Sequence, residues 1–441
     1  MKLDRSALGH IAHVLPPTSE VVDGELVIGG CRVSDLVAEY GSPLHIYDEA
    51  GLRDQMRSLV SGLRSRHESS EVLFASKAAP IVAIYAIAAA EGMMIDVAGG
   101  GELELALAAG VDPKNIYFHG NAKTDAELER AIEVGVGTII VDSEDEIDRL
   151  DRLVPAGSRQ RLLVRVTPGV EAETHASMNT GGSNSKFGLP PVKVCELIDS
   201  LREHPRLEIV GVHVHIGSQI LNIDQFAEAV AALAPIGGLP VYDLGGGLGI
   251  AYHEGEQAPT VDEYLDRLVG AAHEYLPTSA KLLIEPGRAT VARAGVTAYR
   301  VVVVKQTGRR FVAVDGGLAD QLEIAMTGQR FEAVLANRAD EVADTTVQLV
   351  GRQCESGDLL IDGAEMPNPR VDDIVVMPAT GAYSYTMTNN YNGALRPAVV
   401  LVANGVARLA ARREDVADLL RLHEPAQNQN WAVEPAAVPA D

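Results

Sequence analysis

The chain has 441 residues and sets 61 acidic against 37 basic side chains, a formal charge of −24. Nucleic acids are bound by basic faces, so this balance argues against such a partner, although a local site for one phosphate remains open. Apolar residues make up 46% of the chain, enough for one barrel of roughly 250 residues and a second unit.

Residues 1–15 mix charges and histidines with apolar positions, so no secretory leader is expected. The segment 1–42 holds short strand-like pieces such as 25–28 and is expected to pack with a later β domain. Over 43–298, short apolar runs at 72–75, 94–96, 116–118, 138–141, 162–166, 209–214, 241–244 and 282–284 alternate with helical periodicity. Strand, polar end and helix, repeated eight times, predict a closed (β/α)8 barrel, whose chemistry gathers at the C-terminal strand ends. The longest apolar stretch, 78–90, contains Pro80 and falls short of the about 20 residues that a membrane crossing needs. From 299 to 423 the runs 301–305, 310–314, 345–350, 374–377, 398–403 and 406–410 succeed one another with few helices, which predicts a mostly antiparallel β domain. Residues 424–441 lack periodicity and are expected to form a flexible tail. The three cysteines, Cys31, Cys195 and Cys354, form no CxxC pair, which favours a reducing cytoplasm over a disulfide framework or a zinc site.

The strand ends carry Lys77, Asp96, His119, Asp142, Arg165, His215, the glycines 245–247 and Glu285. Most lysines are solvated, but one at a barrel mouth can lose solvation and form an imine with a carbonyl compound. Gly245, Gly246 and Gly247 follow the seventh strand. They are either a plain flexible turn or a loop whose N–H groups approach an anion, with a helix dipole behind them. Glu285-Pro286-Gly287-Arg288 after the eighth strand is either a local ion pair or a site with Arg288 facing a phosphate or carboxylate and Glu285 facing a protonated nitrogen. His213 and His215 share one face of the sixth strand. A metal pair lacks a third ligand at suitable spacing, and His215 can equally present a flat ring to an aromatic cofactor.

These residues, together with His119-Gly120-Asn121, Lys186-Phe187-Gly188, His215 to Ser218, Cys354 to Asp358 and Gly381-Ala382-Tyr383, resemble the fold-type III decarboxylases that use pyridoxal 5′-phosphate (PLP). Diaminopimelate decarboxylases are the nearest group. The resemblance implies that Lys77 carries the cofactor as an imine, that Glu285 keeps the pyridine nitrogen protonated and that His215 stacks on the ring. It further implies that Ser218, Gly245, Gly246, Gly247 and Arg288 hold the phosphate, and that Asp96 orients the Lys77 network. Cys354 and Glu355 would enter from a partner subunit of a homodimer, with Cys354 as proton donor and Lys77 as the other candidate. Tyr383 would close the pocket near cofactor and substrate, with no metal involved.

One departure concerns the substrate. After Asp315-Gly316-Gly317, the resembled group continues with Asp-Asn-Pro-Arg and a tyrosine four residues later, the arginine and tyrosine binding the distal carboxylate. Here those positions are Glu323 and Thr327. Reversing the charge there would set a carboxylate against a carboxylate. The expectation is therefore an amino-acid decarboxylase with altered distal recognition, in which Glu323 accepts a distal cation unless it points to solvent. Gly99 is a smaller departure, where serine is frequent. The alternatives are decarboxylation of meso-diaminopimelate itself, racemisation on the same barrel, which Glu285 disfavours because racemases pair the pyridine nitrogen with arginine, and a non-catalytic regulator.

Overall fold

The computed structural model describes residues 6–175 and 178–424. The expected tail at 424–441 lies, apart from its first residue, outside the described residues.

Eight parallel strands close into a barrel: Ser70–Ala75, Met94–Val97, Ile116–Phe118, Thr138–Val141, Gln160–Val166, Leu207–Val214, Val241–Asp243 and Lys281–Ile284. Side chains alternate across each strand. Val72 and Phe74 on the first strand, and Leu282 and Ile284 on the eighth, point outward into the large core shared with the helices. Leu73, Tyr117, Ile140, Leu163, Val241 and Leu283 point inward and fill the barrel with a separate apolar cluster. Burial on both faces explains why these strands read as short continuous apolar runs.

A second, nine-stranded sheet follows, built around the long strand Gly295–Gln306. That strand pairs antiparallel with Arg310–Val314, Ile374–Met377 and Leu44–Asp48. Most of the other ladders are also antiparallel, but Thr345–Val350 lies parallel to Arg310–Val314 and Ala398–Ala403 lies parallel to Leu44–Asp48. Leu44–Asp48 falls inside the 43–298 expected for the barrel, yet it is a central strand of the second sheet. Its five residues are all buried, and a fully buried strand has no alternation by which to recognise its sheet. The strand Leu359–Met366, which no regular apolar run announces, pairs with Thr345–Val350 through two register shifts. A small meander, Glu20–Val22, Glu25–Ile28 and Cys31–Arg32, leads into the helix Val33–Tyr40. From this N-terminal piece Leu26, Ile28, Val33, Leu36 and Val37 share one core with Leu44, Ile46, Val296 and Val400.

Barrel and sheet meet where backbone touches backbone. A Cβ on Gly381 would lie 2.0 Å from the carbonyl oxygen of Val291, and one on Gly295 would lie 2.3 Å from the Cα of Gly381. The Tyr47 hydroxyl donates to the Gly381 carbonyl at 2.8 Å. This contact fixes the loop that carries Tyr383 over the barrel mouth. Among the described residues, no helix is long and apolar enough to cross a membrane.

Because Leu283 is fully buried in the barrel interior, Leu283→Ala leaves a cavity that the closed strands cannot collapse around. The expected cost is about 2–5 kcal/mol, read as a lower midpoint of thermal unfolding with the circular-dichroism spectrum of the native state retained.

Candidate active site

The strand period that fills the barrel with apolar residues also builds the layer above them. Two residues beyond Tyr117, Leu163, Val241 and Leu283 come His119, Arg165, Asp243 and Glu285, and two beyond Met94 comes Asp96. All five are buried. Lys77 follows Leu73 and Ala75 in the same register, in the single turn Ser76–Ala78. Its side chain remains solvent-accessible although protein surrounds it. Burial alone would lower the Lys77 pKa, but Tyr383, Asp96 and Glu285 outweigh it and the ammonium is favoured.

Glu285 is the electrostatic centre of this layer. Burial would raise its pKa, yet His119 and His213 hold it well below the ordinary range. The His213 Nε2 hydrogen-bonds Oε2 at 3.1 Å, and the His119 Nε2 lies 2.7 Å from Oε1. Burial, with Glu285 adding to it, pushes Asp243 well above the usual carboxylate range. Burial lifts Asp96 to about 7 against the opposing pull of His119. His215 is driven well below 6.5 by burial, by Lys77 and by Arg165, so its ring is neutral. It accepts a hydrogen bond from the Gly246 amide at 3.3 Å.

The glycines after the seventh strand are required by packing. Gly245 has φ +70, and a Cβ there would sit 2.1 Å from the Val214 carbonyl oxygen; at Gly246 it would sit 1.9 Å from that of Glu285. The Gly245 amide donates to Asp243 Oδ1 at 3.0 Å, so two of the three expected anion-facing amides have protein partners. The helix expected behind them is absent: the next helix is Val261–Tyr275, and the intervening Tyr252 packs edge-to-face on Phe331 instead.

Arg288 and Glu323 meet at one side of the mouth. Arg288 Nη2 lies 2.7 Å from Glu323 Oε1, and both side chains are about 4% exposed. Arg288 Nε donates to Ser218 Oγ at 3.3 Å, Nη1 donates to the Tyr252 hydroxyl, and the guanidinium stacks on the Tyr383 ring with 4.6 Å to its centroid. Tyr383 itself has φ +58, a costly conformation for a bulky residue, held by the hydrogen bond that its backbone N–H donates to the Ala78 carbonyl at 2.8 Å. Glu323 thus faces inward, which removes the reading that it points to solvent. Thr327 donates to the Glu323 carbonyl at 2.8 Å, a bond within its own helix. Cys354 and Glu355 are exposed; the Cys354 amide donates to Asn392 at 2.7 Å, and neither residue is among the groups that contact the Lys77 cluster. Sequence pattern alone gives Arg165 and Asp243 no role, sets His119 only within a motif and weighs His213 only as a metal partner of His215. The inward register of the strands is the signal that finds all but His213, whose strand shifts register between Ile209 and Gly211.

His119, His213 and Glu285 offer ligand atoms within 4.8 Å of one another, but a cation there would compete for the atoms that already hold Glu285. The donor set fits PLP better. A reachable amine at Lys77 faces an ionised carboxylate at Glu285, a flat neutral ring lies at His215, and buried oxygens of Asp96 and Glu285 lack hydrogen-bond partners. Such a barrel mouth defines an enzyme that works on amines through a carbonyl cofactor.

The chain belongs to the pyridoxal-dependent decarboxylases: residues 52–292 match the pyridoxal-binding domain of that family. The diaminopimelate decarboxylase of Actinosynnema pretiosum subsp. auranticum is 41% identical over 412 residues, covering 90% of this chain and 92% of that protein. That of Bacillus subtilis is 38% identical and covers 91% and 96%. Among solved structures, diaminopimelate decarboxylase from M. jannaschii in co-complex with L-lysine superimposes with a TM-score of 0.86 at 29% identity, covering 93% of this chain and 99% of that one. The protein is therefore a PLP-dependent carboxy-lyase acting on an amino acid.

The raised pKa of Asp96 has a consequence for stability. A carboxyl that binds its proton more tightly in the folded state stabilises the fold below the unfolded pKa of 3.8 and loses that contribution as pH rises through about 7. Asp96→Asn removes this dependence. Its unfolding midpoint, measured without cofactor and relative to the unsubstituted protein, is expected to rise from mildly acidic to mildly alkaline pH.

Proposed function

We propose that the protein decarboxylates diaminopimelate, releasing one α-carboxylate as CO2 and leaving lysine. The observation that carries this reading is the match of relatives named diaminopimelate decarboxylase across about nine-tenths of both chains. When bound, PLP supplies the electron sink for the pair freed as the carboxylate leaves. Lys77 would anchor the cofactor through its amine and would hold a proton close to the α-carbon. Glu285, ionised, faces the ring nitrogen and favours its protonated form. His215 covers the ring, and its neutrality keeps a second positive charge away from Lys77. Ser218 and Gly247 would receive the phosphate, joined by Gly245, Gly246 and Arg288 once their donors exchange partners. Asp96 orients Lys77, and Tyr383 closes the pocket.

The exposure of Cys354 and Glu355 supports a homodimer whose sites are shared. In that assembly Cys354 of the partner subunit delivers the proton to the α-carbon, and Glu355 of the partner subunit contacts the substrate. The cysteine usage supports a cytoplasmic location.

A second reading, altered distal recognition, is favoured by the Arg288–Glu323 pair. The Arg288 donors are already directed at Ser218, Tyr252 and Glu323, while Glu323 Oε2 has no hydrogen-bond partner. A buried, half-satisfied carboxylate suits a distal ammonium better than a distal carboxylate.

Purified holoenzyme incubated with meso-diaminopimelate, lysine, ornithine and arginine of both configurations separates the readings by CO2 release. Turnover of diaminopimelate alone supports the first. Preference for a basic amino acid, lost by roughly ten- to a hundredfold in Glu323→Gln as expected for a hydrogen bond to a charged group, supports the second. In either case Lys77→Ala is expected to lose the visible absorbance of covalently bound PLP together with CO2 release; a Lys77→Ala protein that keeps both overturns the assignment of Lys77.

A further inference from the structure

Three buried acids, Asp96, Asp243 and Glu285, share the barrel mouth, and the low dielectric there should press each to take up a proton. Two of them respond that way. Glu285 does not, and the geometry shows what sets it apart. One of its oxygens accepts a hydrogen bond from His213 at 3.1 Å, and the other lies 2.7 Å from His119. The two imidazoles pack edge-to-face with centroids 4.8 Å apart, so each limits the rotation of the other. His119 also lies 3.7 Å from Asp96. His213 is pushed down to about 4 by burial, against the opposing pull of Glu285, so it is neutral at physiological pH and holds one ring proton. Its Nδ1 has no partner, which leaves Nε2 to carry that proton toward Glu285.

We propose that His119 and His213 are positioning residues that act through Glu285, holding its carboxylate ionised and fixed in place so that the ring nitrogen of the bound cofactor stays protonated. This rests on the reading that Glu285 faces that nitrogen. Of the other groups around Glu285, Asp96 adds negative charge when ionised and so favours a proton on the carboxyl, while Asp243, held protonated by burial and by its hydrogen bond with Glu285, assists without bringing positive charge. Lys77 and Arg165 contribute positive charge but no hydrogen bond to it, and His215 and Tyr264 are neutral neighbours held so by burial. His213 hydrogen-bonds Oε2 and His119 stands 2.7 Å from Oε1 as an ion-pair contact, which limits the rotation of the carboxylate and leaves Oε1, without a hydrogen-bond partner, aimed by the histidines rather than by the substrate.

The test uses holoenzyme reconstituted with PLP carrying nitrogen-15 in the ring, whose chemical shift reports protonation directly. In the unsubstituted protein the ring nitrogen is expected to stay protonated across the neutral range. In His213→Met and His119→Met, which keep bulk but remove the ring N–H, it is expected to lose its proton within that range. In His213→Gln and His119→Gln, whose amide restores a donor near the lost Nε2, it is expected to return toward the unsubstituted behaviour. In the methionine variants kcat should fall roughly ten- to a hundredfold, the range for losing a hydrogen bond to a charged group, with KM little changed. A ring nitrogen that stays protonated in the methionine variants, or that titrates alike in the methionine and glutamine variants, overturns the proposal. Where a methionine variant does not fold, asparagine, whose shorter amide falls short of Glu285, replaces it and is read the same way. Glu285→Gln separates the two levels: a ring nitrogen indifferent to that change overturns the placement of Glu285 itself, whereas one that responds to it but not to the histidines overturns only the clamp.

Discussion

Closure of the parallel barrel is the constraint from which the site follows. Once eight strands pack around a shared interior, every second side chain must point into it, and the interior admits only what fills it without unsatisfied charge. Leu73, Ile140, Leu163 and Leu283 meet that demand in the middle of the barrel. The next inward positions lie at the open end, where Asp96, His119, Arg165, Asp243 and Glu285 are buried close together. Charges of both signs confined there cannot ignore one another, and their protonation is settled jointly. Glu285 keeps its charge because histidines face it, and Asp243 gives its charge up beside it.

The second sheet contributes position rather than charge to this mouth. The backbone contact of Gly295 and Gly381 leaves no room for adjustment, so Tyr383 is delivered over the barrel in a strained conformation that the surrounding structure over-determines. Its ring lies against Arg288, which belongs to the barrel, and Arg288 reaches Glu323, which belongs to the sheet domain. The cofactor end and the substrate end of the site are thereby joined through one guanidinium. Any change of charge at Glu323 is felt at the Arg288 end of the site as well.

Much of the fold is legible along the chain because burial on both faces of a parallel sheet leaves short continuous apolar runs, and all eight barrel strands are visible in that way. The strands at 310–314, 345–350, 374–377 and 398–403 are likewise visible between their turns. Leu44–Asp48 and Leu359–Met366 are less so. The first is buried throughout and sits in a sheet whose other members lie about 250 or more residues further on; the second has a burial pattern broken by register shifts. The residues at strand ends, Lys77 and Glu285 above all, stand out because polar groups there interrupt apolar runs.

The chemical groups at the strand ends, their order along the chain and hence the kind of cofactor they suit are legible in the linear pattern, because local patterning fixes strands and turns and the barrel then fixes which end carries chemistry. Which of those groups touch is settled by the folded barrel. That Glu323 turns inward onto Arg288, that the Gly246 amide already has a partner, and that His119 and His213 share the oxygens of Glu285 depend on contacts between residues from 31 to 166 positions apart. Charge state in a buried cluster is set by distance, and distance between strands is a property of the closed barrel that no stretch of sequence carries alone.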